Sequence, residues 1–105
     1  MKVVSVVAAV VAASALAAAT AVAAQETKAL RTRALASTCA HCHGTDGAAV
    51  GAGGIRLAGQ PKEQLLRLLI AFRNGERPAT LMPQIAKGYS EEQLAEIAGY
   101  FAAQR

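Results

Sequence analysis

The sequence predicts an all-α domain, and three observations support that prediction. Apolar residues recur every three or four positions in residues 26–37, in residues 61–73 and in the segment after Ser90, which is the spacing of one helix face. Residues that typically begin or end helices flank these segments. No segment alternates apolar and polar residues as a half-buried strand does, and no segment repeats. We therefore expect three main helices.

The first of these helices is expected over residues 26–37. Thr27 is its expected N-cap, and Leu30, Ala34 and Leu35 give it a small apolar stripe. Its basic residues lie on the other face, which indicates a solvated surface. We expect the segment that begins at Cys39 to form its last turn.

The second helix is expected over residues 61–73. Pro61 suits a first helical turn, and Asn74-Gly75 predicts an end in the left-handed conformation. Its broad apolar face is expected to belong to the core. The residues of that face are Leu65, Leu66, Leu68, Leu69 and Phe72.

The third helix is expected to begin after Ser90, because Ser90-Glu91-Glu92-Gln93 has the pattern of a capping box. We expect Gly99 and Tyr100 to lie where this helix crosses the first one. Its expected core residues are Leu94, Ile97, Ala98 and Phe101.

A leader precedes these helices. Lys2 is followed by an apolar run to Ala24 that ends in small residues, which is the pattern of a secretory signal peptide. We expect cleavage of residues 1–24, with an uncleaved membrane anchor as the alternative. The remaining domain, 25–105, has no membrane span and a net charge of about +3 instead of +4, because Lys2 leaves with the leader. So small a domain buries little apolar surface, and a bound cofactor would complete its core.

The segment Cys39-Ala40-His41-Cys42-His43 predicts that cofactor. Two cysteines three positions apart with histidine directly after them form the attachment motif of c-type haem. In a helical turn both thiols lie on one face, so they can reach the two vinyl groups of one porphyrin edge. His43 is then placed to bind the iron, and we expect one covalently bound haem c.

Three other interpretations of the motif are weaker. A zinc site needs four ligands, and outside the motif the chain has no further cysteine or histidine. A thioredoxin-like pair needs a βαβ context, which the sequence lacks. A disulfide between Cys39 and Cys42 would close too small a loop to stabilise a fold much.

The glycine-rich segment 44–59 is expected to be a loop, with Thr45-Asp46-Gly47 as a turn. Ile55 and Leu57 are the apolar residues that we expect against the porphyrin ring. An iron-binding imidazole usually donates its second ring N–H to a partner that fixes its orientation. We expect a backbone carbonyl near Gly54 or Ile55 to accept it from His43.

Met82 is the candidate for the sixth iron ligand. It is the sole methionine of 25–105, and thioether sulfur is a usual partner of histidine on a c-type iron. Pro83 favours an extended backbone at Met82, as in a strap across the ring. The alternatives are Lys87 as ligand, an open iron position, and Met82 as core filler.

Together these features resemble the class I c-type cytochromes over essentially all of 25–105. Three further segments, 57–60, 72–77 and 85–90, are similar to the cytochrome c4 and c553 group. The similarity is greatest to the cytochrome subunit of flavocytochrome c sulfide dehydrogenase. The resemblance implies three main helices wrapped around one haem, thioether bonds at Cys39 and Cys42, and iron ligation by His43 and Met82.

One loop departs from the family pattern. The family usually has Ile-Pro-x-Leu-Ala-Gly, in which the proline carbonyl bonds to the histidine ligand. This chain has Ile55-Arg56-Leu57-Ala58-Gly59, which is one residue shorter and has no proline. The resemblance therefore assigns no carbonyl partner to His43.

The expected function is periplasmic electron transfer, without an enzymatic activity of the chain itself. Redox proteins would dock at the haem edge near the cysteines, and the sequence indicates no nucleic-acid partner. One alternative is a haem subunit that accepts electrons from a flavoprotein sulfide dehydrogenase. The other is a ligand-binding haem protein with an open sixth site.

Overall fold

The computed structural model describes residues 1–49, 51 and 53–105. Five α-helices follow one another along the chain: α1 Lys2–Ser37, α2 Ala40–His43, α3 Lys62–Arg73, α4 Met82–Ala86 and α5 Glu91–Ala102. A 3₁₀ turn, Thr45–Gly47, follows α2. The residues that the structure describes contain no strand, so the fold is all-α as the sequence predicts.

The chain divides into two compact units, Met1–Arg31 and Thr32–Arg105. The first unit is helical throughout from Lys2. By length and composition, α1 could cross a membrane, and a signal sequence near the N-terminus meets the same criteria.

The first helix begins and ends differently from the prediction. Residue 26 does not start a helix, because α1 already runs from Lys2, and the Thr27 hydroxyl donates to the carbonyl oxygen of Ala23 (2.9 Å) instead of capping. Alanines have the highest helix propensity, so nothing interrupts the helix before Thr27. At its other end α1 stops at Ser37, and Cys39 is the N-cap residue of the separate helix α2.

The second unit has a small core between α3, α5 and the end of α1. Its buried cluster consists of Ala36, Leu65, Ile97, Ala98 and Phe101. All four residues that the sequence assigns to the core face of α5 are buried. On α3, by contrast, Leu65 alone is buried, and the remaining apolar residues of its predicted face are half-buried.

Both predicted helix boundaries in this unit are confirmed. The Ser90 hydroxyl accepts from the Gln93 N–H (3.2 Å), and the Gln93 side chain accepts from the Ser90 N–H (2.9 Å), which completes the capping box. After α3, Gly75 adopts a left-handed φ of 76°. Its N–H donates to the Phe72 carbonyl oxygen (3.2 Å).

The surroundings of Gly99 and Tyr100 agree with the prediction in part. A side chain at Gly99 would first meet Lys62 of α3, at 3.7 Å. Tyr100 packs against the buried cluster that includes Ala36 of α1, and it donates its hydroxyl hydrogen to Asp46 in the 3₁₀ turn (2.5 Å). The first helix also contacts α5 through Thr32, whose hydroxyl donates to Glu96 (3.2 Å).

Gly47 ties the 3₁₀ turn to the core. Its φ is +74°, and an added Cβ would lie 2.7 Å from Cδ1 of Phe101. Its carbonyl oxygen accepts from the N–H groups of Leu57 (2.9 Å) and Ala58 (3.1 Å). This contact brings both ends of the glycine-rich loop against α5.

Candidate haem site

The second unit contains a large cavity. Its volume is about 680 Å³, within the roughly 300–1,000 Å³ of small-molecule sites. Most of the side chains that line it are apolar. The larger ones are Ile55, Leu57, Leu65, Leu68, Leu69, Phe72, Leu81, Ile85, Leu94, Ile97 and Phe101. Three of the half-buried apolar residues of α3, Leu68, Leu69 and Phe72, therefore face a shared cavity, which helps to explain why the core proper is so small.

All four residues that the sequence singles out for the cofactor line this cavity: Cys39, Cys42, His43 and Met82. The first three come from the turn of α2, where the His43 N–H donates to the Cys39 carbonyl oxygen (2.9 Å). Met82 comes from α4, almost forty positions later in the chain. The fold thus brings together residues whose proximity the sequence alone does not require.

The two cysteines are free thiols with different exposure. Cys42 is exposed and Cys39 is half-buried. Burial raises the pKa of the Cys39 thiol, which keeps it protonated at neutral pH. Both thiols border the same cavity, as the vinyl groups of one porphyrin edge would require.

The hydrogen bond of His43 agrees with the prediction. Its Nδ1 lies 2.8 Å from the carbonyl oxygen of Ile55, one of the two carbonyl positions expected from the sequence. A carbonyl oxygen can only accept, so Nδ1 carries the proton, and in the neutral imidazole Nε2 then keeps its lone pair. An imidazole in this state can bind a metal through Nε2.

Met82 lies at the cavity in a different backbone conformation from the one predicted. It is the first residue of α4, not part of an extended strap, and the N–H of Ile85 donates to the Leu81 carbonyl oxygen (3.1 Å). Proline is tolerated here because the first residues of a helix need no intrahelical partner for their N–H groups. The alternative ligand, Lys87, is exposed and does not line the cavity.

Several polar side chains line the cavity although the sequence does not predict them there. The Thr38 and Tyr89 hydroxyl oxygens lie 2.7 Å apart, and both residues line the cavity. Arg77 also lines it, with its guanidinium carbon 5.4 Å from the centroid of the Phe72 ring. Nothing in the local sequence distinguishes Arg77 from the other arginines, since its position follows from how the chain turns after α3.

The arrangement fits a haem. The cavity offers an apolar lining for a large flat ring, two thiols at its border, and an imidazole and a thioether among its lining groups. Imidazole and thioether are common axial ligands of haem iron. Within the described part of the chain, no cluster of three or more histidine, cysteine or acidic residues could hold a metal ion.

Known proteins match the part of the chain that contains this cavity. The family described as cytochrome c oxidase, cbb3-type, subunit III matches residues 26–101. Cytochrome c-554(548) of Halomonas halodenitrificans is 40% identical over 70 residues, which cover 64% of this chain and 84% of that protein. The cytochrome subunit of sulfide dehydrogenase of Chlorobaculum tepidum is 41% identical over 71 residues, or 68% of this chain and 64% of that protein.

A solved structure is also similar. It is the cytochrome c4 of Acidithiobacillus ferrooxidans, with a TM-score of 0.57 and 44% sequence identity. The match covers 62% of this chain and 38% of that one, so this chain spans well under half of that relative.

The fold, the attachment motif and these matches define a haem-binding electron-transfer protein. The chain belongs to the class I c-type cytochromes. Its cofactor is accordingly a covalently bound haem c, which supplies one-electron chemistry when bound. Members of this class carry electrons between redox partners and are not enzymes themselves.

Proposed function

We propose that this protein is a periplasmic mono-haem electron carrier in which His43 and Met82 are the axial iron ligands and Cys39 and Cys42 form the thioether bonds. The observation that carries the proposal is that all four side chains line one apolar cavity. The bond from Nδ1 of His43 to Ile55 supports the ligand role, since it leaves Nε2 available. The position of Met82 on the same cavity, with Lys87 outside it, favours sulfur over an amine as the sixth ligand.

The chain's contribution to electron transfer would be a low-dielectric pocket and a rigid frame. Thioether ligation raises the reduction potential, and an apolar surrounding disfavours the more highly charged ferric state. Cys42 is exposed, as are Leu81 and Ile85 at the cavity border. A redox partner would approach over this edge through a small, transient interface.

The visible spectrum of the haem-loaded protein tests the ligand assignment. Ferric haem with histidine and methionine ligands has a weak long-wavelength sulfur–iron band. We expect this band in the wild type and its loss in Met82→Leu, which keeps an apolar side chain but removes the sulfur. Leu81→Ala is the matched control, because it removes bulk from the same cavity and keeps the sulfur.

Three other results would each contradict part of this assignment. A wild type with covalent haem but without the band would favour a ligand-binding protein with an open sixth site. A band that persists in Met82→Leu would exclude Met82 as ligand. A protein without covalent haem after expression with the attachment machinery would contradict the assignment of Cys39, Cys42 and His43.

We also propose that residues 1–24 are an export signal that is cleaved to leave the domain 25–105. The apolar character of α1 near the N-terminus supports this assignment. The mass of the protein released from the periplasm tests it, with Gln25 expected as the first residue. A membrane-bound protein of full mass would show instead that the leader is an anchor.

A second candidate function is that of a haem subunit that accepts electrons from a flavoprotein sulfide dehydrogenase. The match to the Chlorobaculum tepidum cytochrome subunit favours it. Stable co-purification with a flavoprotein, and reduction of the haem by sulfide only when that flavoprotein is present, would support this role. A protein that purifies as a monomer would favour the free carrier.

A further inference from the structure

The loop that supplies the carbonyl partner of His43 has little packing of its own. The Ile55 side chain is 66% exposed, and Arg56 is also exposed. Two glycines upstream, Gly51 and Gly53, have left-handed φ values of 87° and 99° and no atoms within 4 Å of where a Cβ would be. Within the loop itself, apolar contacts therefore contribute little to the position of the Ile55 carbonyl, although the Ile55 side chain also lines the haem cavity.

Hydrogen bonds of Arg56 hold this part of the loop instead. Its Nε donates to the Ala58 carbonyl oxygen (3.2 Å), and its Nη1 lies 3.5 Å from the Ala48 carbonyl oxygen. The side-chain amide of Gln60 donates to the carbonyl oxygen of Arg56 itself. Because one residue takes part in all three bonds, the peptide that joins Ile55 to Arg56 is restrained from both sides of the loop.

The Ala48 contact links this restraint to the haem motif. The backbone N–H of Ala49 donates to the carbonyl oxygen of His43 (2.7 Å). The guanidinium of Arg56 thus connects the peptide after Ile55 to the segment that leaves His43. A guanidinium suits such a bridge because its donors form a planar fork that can address two acceptors at once.

We infer that Arg56 is a positioning residue for the axial histidine: its guanidinium holds the Ile55 carbonyl against Nδ1 of His43. This inference rests on the proposed function, in which His43 binds the iron. A proline would restrain the same backbone through its ring, since proline fixes φ near −65°. Arg56 achieves the restraint through side-chain hydrogen bonds, whose charged donor makes them stronger than neutral ones.

The restraint has a chemical consequence for the iron. A firm bond from Nδ1–H to a carbonyl fixes the orientation of the imidazole and raises its basicity as a ligand. A more basic ligand favours the ferric state and lowers the reduction potential. Loss of the restraint should therefore weaken the Nδ1–H bond and raise the potential.

Two variants of the haem-loaded protein separate this effect from that of the lost charge. Arg56→Ala and Arg56→Pro both remove one positive charge, but only the proline restores a backbone restraint. In the described part of the chain the Arg56 N–H donates to no acceptor, so proline removes no recorded bond. Arg67→Ala, at an exposed position of α3, is the matched control for removal of an arginine.

The principal measurement is solvent exchange of the His43 Nδ1 proton, followed by NMR in the reduced protein. We expect this exchange to be about tenfold faster in Arg56→Ala, because the net stabilisation from roughly one hydrogen bond corresponds to about a tenfold change in an equilibrium constant. Arg56→Pro and Arg67→Ala should exchange at close to the wild-type rate. The reduction potential should be higher in Arg56→Ala than in Arg56→Pro, two variants of equal charge.

Several results would overturn the inference. One is an Arg56→Ala protein in which the His43 Nδ1 proton exchanges as slowly as in the wild type. This result refutes the inference even if Arg56→Pro does not fold. Another is an equal acceleration at the Leu94 amide, which donates to the Ser90 carbonyl oxygen at 2.9 Å in α5, because that would indicate general destabilisation. Absence of covalent haem from the wild type would refute the proposed function as well, whereas unchanged exchange in a haem-loaded protein refutes the role of Arg56 alone.

Discussion

Gly47→Ala should be among the most destabilising single-methyl additions in this protein. The new Cβ would lie 2.7 Å from Cδ1 of Phe101 and 2.9 Å from Cβ of Leu57. Phe101 is only 2% exposed and belongs to the buried cluster, so a shift of its ring would disturb the packing of α3 against α5. The left-handed φ of +74° costs about 1–2 kcal/mol for a residue with a Cβ, and overpacking of a filled site costs about 1–3 kcal/mol more. We therefore expect a loss of about 2–5 kcal/mol in the free energy of unfolding.

Gly75→Ala is the matched control for this substitution. Its φ of +76° is nearly the same, but no atom lies within 4 Å of where its Cβ would be. It should lose about 1–2 kcal/mol, from the backbone alone. Unfolding of both haem-loaded variants by urea, followed by circular dichroism, gives the difference that packing causes. If Gly47→Ala loses no more stability than Gly75→Ala, the assigned contact of the 3₁₀ turn with Phe101 is wrong.

Two further predictions concern α5. Ser90→Ala removes half of the capping box and should cost about 1 kcal/mol in the free energy of unfolding. Ser37→Ala is the control, because the exposed Ser37 hydroxyl only donates to the Ala34 carbonyl oxygen within α1, and it should change this free energy much less. Equal losses in the two variants would contradict the assigned cap. Tyr100→Phe removes the bond to Asp46. That bond is the main reason why the pKa of Tyr100 is raised, followed by burial and the charge of Asp46. A raised pKa in the folded state means that this stabilisation is complete below the usual tyrosine pKa of about 10 and is lost as the pH rises through the folded value. The wild type should therefore lose stability more steeply than Tyr100→Phe in urea titrations above pH 10, and parallel pH profiles would show that the bond does not contribute.

The composition of the core leads us to expect that this fold gains much of its stability from its cofactor. Half of the buried apolar residues are alanines: Ala36, Ala58, Ala86 and Ala98. Small side chains bury little apolar area and contribute correspondingly little to stability. The large apolar side chains of Leu68, Leu69 and Phe72 on α3 line the cavity instead. A covalently bound haem in that cavity would turn these half-buried residues into core.

Local chemistry explains what could be predicted from the sequence. The helix α5 begins where the capping box predicts, because that device involves only residues three apart. The end of α3 at Gly75 is equally local. The haem attachment motif is contained in one helical turn, so its chemistry can be predicted without knowledge of the fold. The carbonyl partner of His43, Ile55, is one of the two positions that the sequence predicts.

Three features differ from the prediction or lie outside it: two have local causes, and the third depends on tertiary structure. Leader and first helix are continuous because no local signal outweighs the helix propensity of the alanines before Thr27. Met82 begins a helix because Pro83 occupies a first-turn position, where its missing N–H costs nothing, although residues before proline generally favour an extended backbone. The arrangement of Arg56 across its loop depends on the carbonyl oxygen of Ala48, eight positions earlier in the chain.

The class of protein can be predicted from the sequence, because the haem attachment motif consists of neighbouring residues. The tertiary structure decided how the site is built, because it sets which distant groups meet. Gly47 packs against Phe101, Met82 lines the same cavity as His43, and Arg56 donates a hydrogen bond to the Ala48 carbonyl oxygen. Such contacts depend on the packing of whole helices and on the path of a glycine-rich loop, and neither has a period or a spacing that can be recognised in the amino-acid sequence.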